Sequence, residues 1–269
     1  MTELSYRTGF TRTNIEHALR AAGKDPSAVE PADLALLEDF HTLGRLATTQ
    51  LAKLVGVTRQ DRVLDAGTGI GGTARFLASE YECSVTGVDL TEEYCDTARW
   101  LNESTGLADR INIIHGDVLD LPFADGSFDV IFSQHVQMNI PDKLTLYAEA
   151  CRVLTPGGRL AMWDITGNAD ALIYPLPWAD DPAQSHLATN ADLRSAVEAA
   201  GLRIEHWDNL TTPTRDIMRN VPAQPPGRLG LHVFVRDFPV KVANLVRGFA
   251  EGWLEVVQVV ASRPTGVEA

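Results

Sequence analysis

VLDAGTGIGG, Val63 to Gly72, is followed by a second apolar run, SVTGVDL, Ser84 to Leu90, that closes on Asp89. A strand, a glycine-rich turn, a helix and a second strand ending in an acid is how a doubly wound α/β domain grips a nucleoside-containing cofactor. The rest of the chain is organised around this pair.

On either side lie further short runs rich in Val and Ile: RVLDA, INIIHGD, FDVIFSQH and RLAMWDI, each bounded by Gly, Asp or Pro. That pattern predicts strands buried on both faces of a parallel sheet. Helices are expected between them over Gly71 to Tyr81, over Thr91 to Gly106 with Thr91 as N-cap, and over Pro141 to Leu154 closed by TPGG. Ahead of the core, Leu34, Leu37, Leu43, Leu46, Leu51 and Leu54 recur at helical steps, and Pro26 and Pro31 divide the region into two or three short helices. Beyond Ile165 the segment TGNADALIYPLPWADDPAQSHLAT reads as a lid loop. A helix over Asn190 to Ala200, the strand LRIEHWDNLT, a proline-interrupted stretch with helical character at VKVANLVRGFAEG, and a last strand LEVVQVVASR follow. The expected architecture is α/β: a doubly wound, Rossmann-like, seven-stranded and mostly parallel sheet with an N-terminal helical cap. The division expected is 1–58 for the cap and 59–269 for the core, with the lid loop at 166–190 and an insertion at 211–250.

Of the 269 residues, 45% are apolar and 22% charged, ordinary values for a folded domain. The opening MTELSYRTGF lacks a basic stretch followed by an apolar one, and no run of about 18 apolar residues occurs, so a cytoplasmic protein without membrane contact is expected. Cys83, Cys95 and Cys151 are widely spaced, which argues against a disulfide framework or structural zinc. A formal charge of −13 repels a phosphate backbone, and no basic run with interleaved aromatics offsets it, so nucleic acid is not an expected partner.

GxGxxG over Gly67, Gly69 and Gly72 also marks nicotinamide and flavin domains; the decision comes from its company. Asp65 precedes the first glycine, Gly71 adds GxGxG, and Asp89, the pair Gly116–Asp117 and TPGG at Thr155 to Gly158 follow in order. That ordered set, over roughly residues 60 to 165, resembles the class I S-adenosylmethionine-dependent methyltransferases. QHVQMNIPDK, CRVLTPGG and PLPWADD look like the small-molecule group that includes sarcosine/dimethylglycine, quinone and sugar O-methyltransferases. The resemblance implies S-adenosyl-L-methionine as cofactor. It places Asp65, Gly67, Thr68, Gly69 and Gly71 at the methionine part, Asp89 with Leu90 at the ribose hydroxyls, Asp117 with Val118 at the adenine, and Gln134 beside them.

Methyl transfer from a sulfonium is an in-line displacement, served by holding the nucleophile collinear and removing its proton. His135, at the end of the fourth strand, is the candidate base, because an imidazole titrates near neutrality; the competing reading is a histidine that merely lines the cofactor. Asp164 ends the fifth strand and is a candidate to orient His135 or bind substrate, against a plain role in capping the following turn. His41 in DFHTLG resembles an FHxxG element that closes over the pocket in some relatives, and Tyr6 is a second such candidate. Trp178 is read either as lining a substrate lid or as anchoring its own loop. A divalent metal such as Mg2+ is left open, with Asp164, His206 and Asp208 as the candidate ligands; no compact ligand spacing supports it. The expected acceptor is a hydroxyl of a small polar molecule, a sugar or hydroxylated natural product. Alternatives are N-methylation of a sarcosine-like amine, and a cofactor-binding protein that no longer transfers methyl. The stretch Leu229 to Val235 and the last strand are the candidate homodimer surface.

Overall fold

The computed structural model describes residues 6, 8–220, 227 and 229–266. The cap range 1–58 and the insertion 211–250 therefore each include residues outside the described set.

Seven strands form one sheet: β1 Arg62–Ala66, β2 Ser84–Asp89, β3 Ile111–His115, β4 Phe128–Gln134, β5 Leu154–Gly167, β6 Arg203–Asn209 and β7 Leu254–Ser262. Their order is β3-β2-β1-β4-β5-β7-β6, with β7 antiparallel to both β5 and β6. The chain leaves β1 to build β2 and β3 on one side, then returns to lay β4 on the other. This reversal opens a crevice at the carboxyl ends of β1, β2 and β4, where such sheets bind their ligands.

The helices are α1 Thr11–Ala21, α2 Pro31–Glu38, α3 Arg45–Val55, α4 Gly72–Glu80, α5 Glu92–Ser104, α6 Lys143–Val153, α7 Asn190–Ala199, α8 Thr211–Asn220 and α9 Phe238–Ala250. The sheet is covered on both faces, with Ala47, Leu51, Leu77 and Phe249 packed in one apolar core and Leu146, Val153, Leu193 and Val197 in another. A third core joins Ile15 and Leu19 of α1 and Leu34 and Leu37 of α2 to Ile70, Trp100 and Phe234. It fastens the cap over the carboxyl ends of the strands.

Several local expectations are corrected. Leu46 and Leu54 are exposed, because the break between α2 and α3 rotates the apolar face onto Ala47, Leu51 and Val55. Thr91 occupies the N-cap position of α5 without a side-chain cap; its own N–H donates to Asp89 Oδ1 at 2.8 Å. TPGG does not end α6 as a separate turn, for the strand β5 already begins at Leu154. The helix α8 was hidden by Pro213, which falls in the first turn, where no intrahelical partner for an N–H is lost. Of the two readings of Trp178, the loop anchor is the one observed: Leu176, Trp178 and Ala179 are buried in the core with Phe249 and Leu254, and Trp178 Nε1 donates to Ser185 Oγ at 3.0 Å. In the stretch Leu229 to Val235, Phe234 and Val235 are buried in the third core while residues 229–233 stay half-buried, and β7 lies between β5 and β6. Among the described residues no helix is long and apolar enough to cross a membrane.

Candidate functional site

The crevice holds a cavity that runs from the turn after β1 to the end of β4 and is walled by the cap. Its floor is the turn after β1. Gly69 sits at φ +55, in the left-handed region open to glycine, and this orientation lets its N–H donate to Asp89 Oδ2 at 2.8 Å. With Thr91 N–H on the other oxygen, the Asp89 carboxylate is oriented from two sides while its remaining lone pairs face the cavity. Burial raises the Asp89 carboxyl above its ordinary value, against these two donors. Asp65 is buried and accepts from Thr68 Oγ1 at 2.6 Å; desolvation, despite that bond, pushes it up to about 7. Asp117, after β3, accepts from the Leu119 N–H at 2.9 Å and lines the same cavity with Val118.

Nine of the ten cofactor positions read from sequence line this cavity: Asp65, Gly67, Thr68, Gly69, Asp89, Leu90, Asp117, Val118 and Gln134. Gly71 is the exception. It is the N-cap of α4 at φ +87, and a Cβ there would lie 2.8 Å from Arg75 Nη1, so it makes room for a buried guanidinium.

Beyond β1 the cavity continues to the end of β4, about 10 Å from Asp89 at ordinary strand spacing. His135 follows β4 at φ +57 and stands edge-on to His41, ring centroids 6.1 Å apart. Thr42 holds His135 from the cap: its N–H donates to Nε2 at 3.2 Å and its hydroxyl lies 3.1 Å from the same atom. Trp163 Nε1 donates to that hydroxyl at 2.9 Å, which leaves its proton for His135. Nε2 is thus an acceptor, and the ring is neutral with its proton on Nδ1. Burial, with His41 adding to it, holds His135 well below its ordinary range. For His41 desolvation wins over its bond to the Thr42 carbonyl and brings it to about 4, with Thr48 Oγ1 at 3.1 Å from Nε2. Thr48 also reaches Gln134 Oε1 at 3.4 Å, and Gln134 accepts from Thr73 Oγ1 at 2.9 Å.

Asp164 is corrected: its side chain does not reach the cavity. It is fully buried under the turn after β4, where its oxygens accept from the N–H groups of Val136, Gln137 and Ile165. Desolvation outweighs these donors and raises it to about 7. It shapes the backbone that carries His135 and does not meet a substrate. The candidate metal set is not assembled either. His206 and Asp208 bond each other at 2.8 Å on the edge strand β6, with β7 between them and Asp164. Among the described residues no three such side chains converge on a metal position.

Sequence reasoning missed the aromatic wall and the joint that seats the cap. Phe40, Tyr94 and Phe234 line the cavity with Tyr6, which stands edge-on to Phe40 and Tyr94. Glu38 Oε2 accepts from Arg75 Nε and Nη2 at 2.9 and 2.6 Å, and its Oε1 from Arg45 Nη2 at 2.8 Å. Arg75 also donates to the Ile70 carbonyl and to Asn102 Oδ1. Gly72 permits the approach, since a Cβ there would lie 2.8 Å from Glu38. The one available signal was a lone arginine on the apolar face of α4, beside a glycine at its first position.

The doubly wound sheet with the acids ending β2 and following β3 defines a class: it is the class I fold of S-adenosylmethionine-dependent methyltransferases, and the chain carries a methyltransferase domain of that class. Residues 64–162 match the family model described as a methyltransferase domain. The chain is 36% identical over 141 residues to methyltransferase GfsG of Streptomyces halstedii, covering 52% of this chain and 48% of that protein. It is 35% identical over 175 residues to the glycine/sarcosine/dimethylglycine N-methyltransferase of Actinopolyspora halophila, covering 65% and 31%. The matched regions thus span half or less of these relatives' length. Among solved structures, the [4+2]-cyclase SpnF superposes with a TM-score of 0.67 at 19% identity, covering 97% of each chain. That likeness concerns the fold.

Proposed function

We propose that this protein transfers the methyl group of S-adenosyl-L-methionine to a hydroxyl of a small hydroxylated acceptor. The observation that carries this reading is one cavity with a carboxylate set for vicinal hydroxyls at one end and two neutral histidines at the other. The donor set fits the cofactor. Asp89 would hold the ribose through charge-assisted hydrogen bonds, Asp117 with Val118 the adenine, and the turn Gly67 to Gly69 the methionine part. When bound, the cofactor supplies an electrophilic methyl on a sulfonium.

The acceptor oxygen forms a bond to the methyl carbon as the carbon–sulfur bond breaks, and its proton must leave. An oxygen gaining a methyl group becomes acidic enough to release that proton to a weak base, so imidazoles held neutral by burial suffice. His41 is the better placed of the two. Thr48 can turn its hydroxyl from His41 Nε2 to Gln134 Oε1 and free the lone pair, whereas His135 keeps its Nε2 on Thr42. His135 then serves as the ring that orients the acceptor.

The charged side chains among the described lining residues are the carboxylates of Glu38, Asp65, Asp89 and Asp117. A sarcosine-like acceptor would bring its own carboxylate toward them, which ranks N-methylation of such an amine second. A cytoplasmic setting agrees with the three free thiols.

The test is calorimetric titration with S-adenosylmethionine and S-adenosylhomocysteine, followed by methyl transfer from labelled donor to neutral polyhydroxylated acceptors and to sarcosine. Micromolar binding and labelled ether products support the reading. Donor binding with label only on sarcosine would replace it with the amine alternative, and binding without product on any acceptor would point to a fold that no longer transfers methyl.

A further inference from the structure

Lys143 is the first residue of α6, directly after the N-cap Asp142, and a cation there faces the positive end of the helix dipole. Burial brings its ammonium down to about 8 while Asp164 acts to hold it up, so the group is charged at neutral pH. Its partners lie outside α6. Nζ donates to the carbonyl of Ile140 and, at 2.6 Å, to the carbonyl of His186. The His186 N–H in turn donates to the Met138 carbonyl at 2.8 Å.

Those carbonyls belong to two segments. One is the turn after β4, where Gln137–Asn139 forms a single 3-10 turn and the N–H groups of Asn139 and Ile140 donate to the carbonyls of Val136 and Gln137, each at 3.0 Å. The N–H groups of Val136 and Gln137 at its start meet the Asp164 carboxyl, and the Ile140 carbonyl at its end meets Lys143. An acid at the amino end and a cation at the carboxyl end are the signs that a helical turn favours. His135, Val136, Asn139 and Ile140 from this stretch line the cavity. The other segment is the loop after β5: Ser185, next to His186, accepts from Nε1 of Trp178, which is buried in the core. One ammonium therefore ties the cavity turn to a loop that is itself anchored in the core.

We infer that Lys143 is a positioning residue for the acceptor end: by joining the carbonyls of Ile140 and His186 it holds the turn that presents His135 and Asn139 to the cavity. This role rests on the reading of His135 as the ring that orients the acceptor of the proposed methyl transfer.

Imidazole 15N resonances of the full-length protein test it without an acceptor, those of His135 being assigned by their loss in His135→Asn. In the wild type His135 is expected as one neutral tautomer with its proton on Nδ1, because Thr42 occupies Nε2. Lys143→Met keeps the length of the side chain and removes the ammonium. It should move the His135 signals toward the average of the two tautomers and quicken hydrogen exchange at the His186 amide, with calorimetric affinity for S-adenosylhomocysteine held within about twofold. Alkylating Lys143→Cys with bromoethylamine returns an ammonium at nearly the same reach and should return the wild-type signals; the wild type treated alike controls for Cys83, Cys95 and Cys151. His135 signals unmoved in Lys143→Met, or moved and not restored by aminoethylation, would overturn the role of Lys143 and leave the donor site standing. A loss of donor affinity in Lys143→Met as large as in Asp89→Ala would overturn it too, as a general loosening of the fold. No binding of S-adenosylhomocysteine to the wild type would take down the proposed methyl transfer, while the His135 signals would still decide whether Lys143 places that ring.

Discussion

At the donor end of the cavity, Asp65, Gly69 and Asp89 come from two neighbouring parallel strands and the turn between them, within 25 residues of sequence. At the acceptor end, Tyr6, His41, His135 and Phe234 come from four segments that meet only after the cap has docked on the sheet. The donor end is held by backbone N–H groups aimed at carboxylates. The acceptor end is held by side chains on side chains, through Thr42, Thr48 and the Tyr6 hydroxyl. Local motifs thus build one end of the cavity, while tertiary assembly builds the other.

The joint between the two ends should be the most sensitive place to attack. Arg75→Met leaves the Glu38 carboxylate buried beside the donor turn with Arg45 alone to meet it. A loss of about 3–5 kcal/mol in urea unfolding is expected, the usual cost of breaking a buried pair from one side. A smaller loss would mean that the cap and the donor turn are less tightly joined than the geometry states. Next comes the donor end itself. Asp89→Ala should weaken S-adenosylhomocysteine binding about 100-fold, close to 3 kcal/mol, by calorimetry. Phe234→Ala, from the other end, should leave donor affinity within about threefold and raise the KM for the acceptor. Equal effects of the two variants on donor binding would erase the distinction between the ends.

This contrast also explains what was legible in the sequence. The glycine turn, Asp89 and Asp117 could be read because their geometry follows from strand, turn and helix in register. The short apolar runs named the strands of the sheet interior for the same reason, since the burial of each is written in its own residues. Asp164 was misread because an acid at the end of a strand looks alike whether it faces a ligand or accepts three backbone N–H groups. Trp178 stayed open between a lid and a loop anchor because an aromatic in a proline-rich loop does not reveal which side of the sheet it will fill; in the fold it anchors its loop. Phe234 and Tyr94 were invisible, and of the Glu38–Arg75 pair only the lone arginine on α4 gave a signal: each depends on partners 30 or more residues away, and no local spacing encodes such a meeting.

A milder probe of the acceptor end is Thr42→Val, which removes the hydroxyl between Trp163 and His135 while keeping the shape. Leaving the indole N–H unmet and one His135 bond lost should cost about 1–2 kcal/mol of stability. It should also lower kcat/KM roughly tenfold with donor affinity unchanged, because His135 Nε2 keeps only the Thr42 N–H of the two donors that fix its tautomer. Thr42→Ser should restore most of both.

The smallest expected effect sets two buried groups apart by sign, His41 in the cavity wall and Asp164 beneath the turn that carries His135. His41 protonates near pH 4 in the fold and near 6.5 in the unfolded chain. Between those values the unfolded chain binds a proton that the fold does not, so stability from neutral His41 is complete above about pH 6.5 and is lost as pH falls toward 4. Asp164 runs the other way: its carboxyl titrates at about 7 in the fold and near 3.8 unfolded, so its contribution is greatest at low pH and is lost as pH rises to 7. In urea unfolding followed from pH 4 to 6.5, His41→Asn should show a flatter rise of stability with pH than the wild type, and Asp164→Asn a steeper one. Each difference is bounded by about 1.4 kcal/mol per pH unit. Curves that shift in parallel would show that neither burial is as complete as the packing implies. A change in His41→Asn alone would place the titrating group at the acceptor end, which is where the proposed proton transfer needs it.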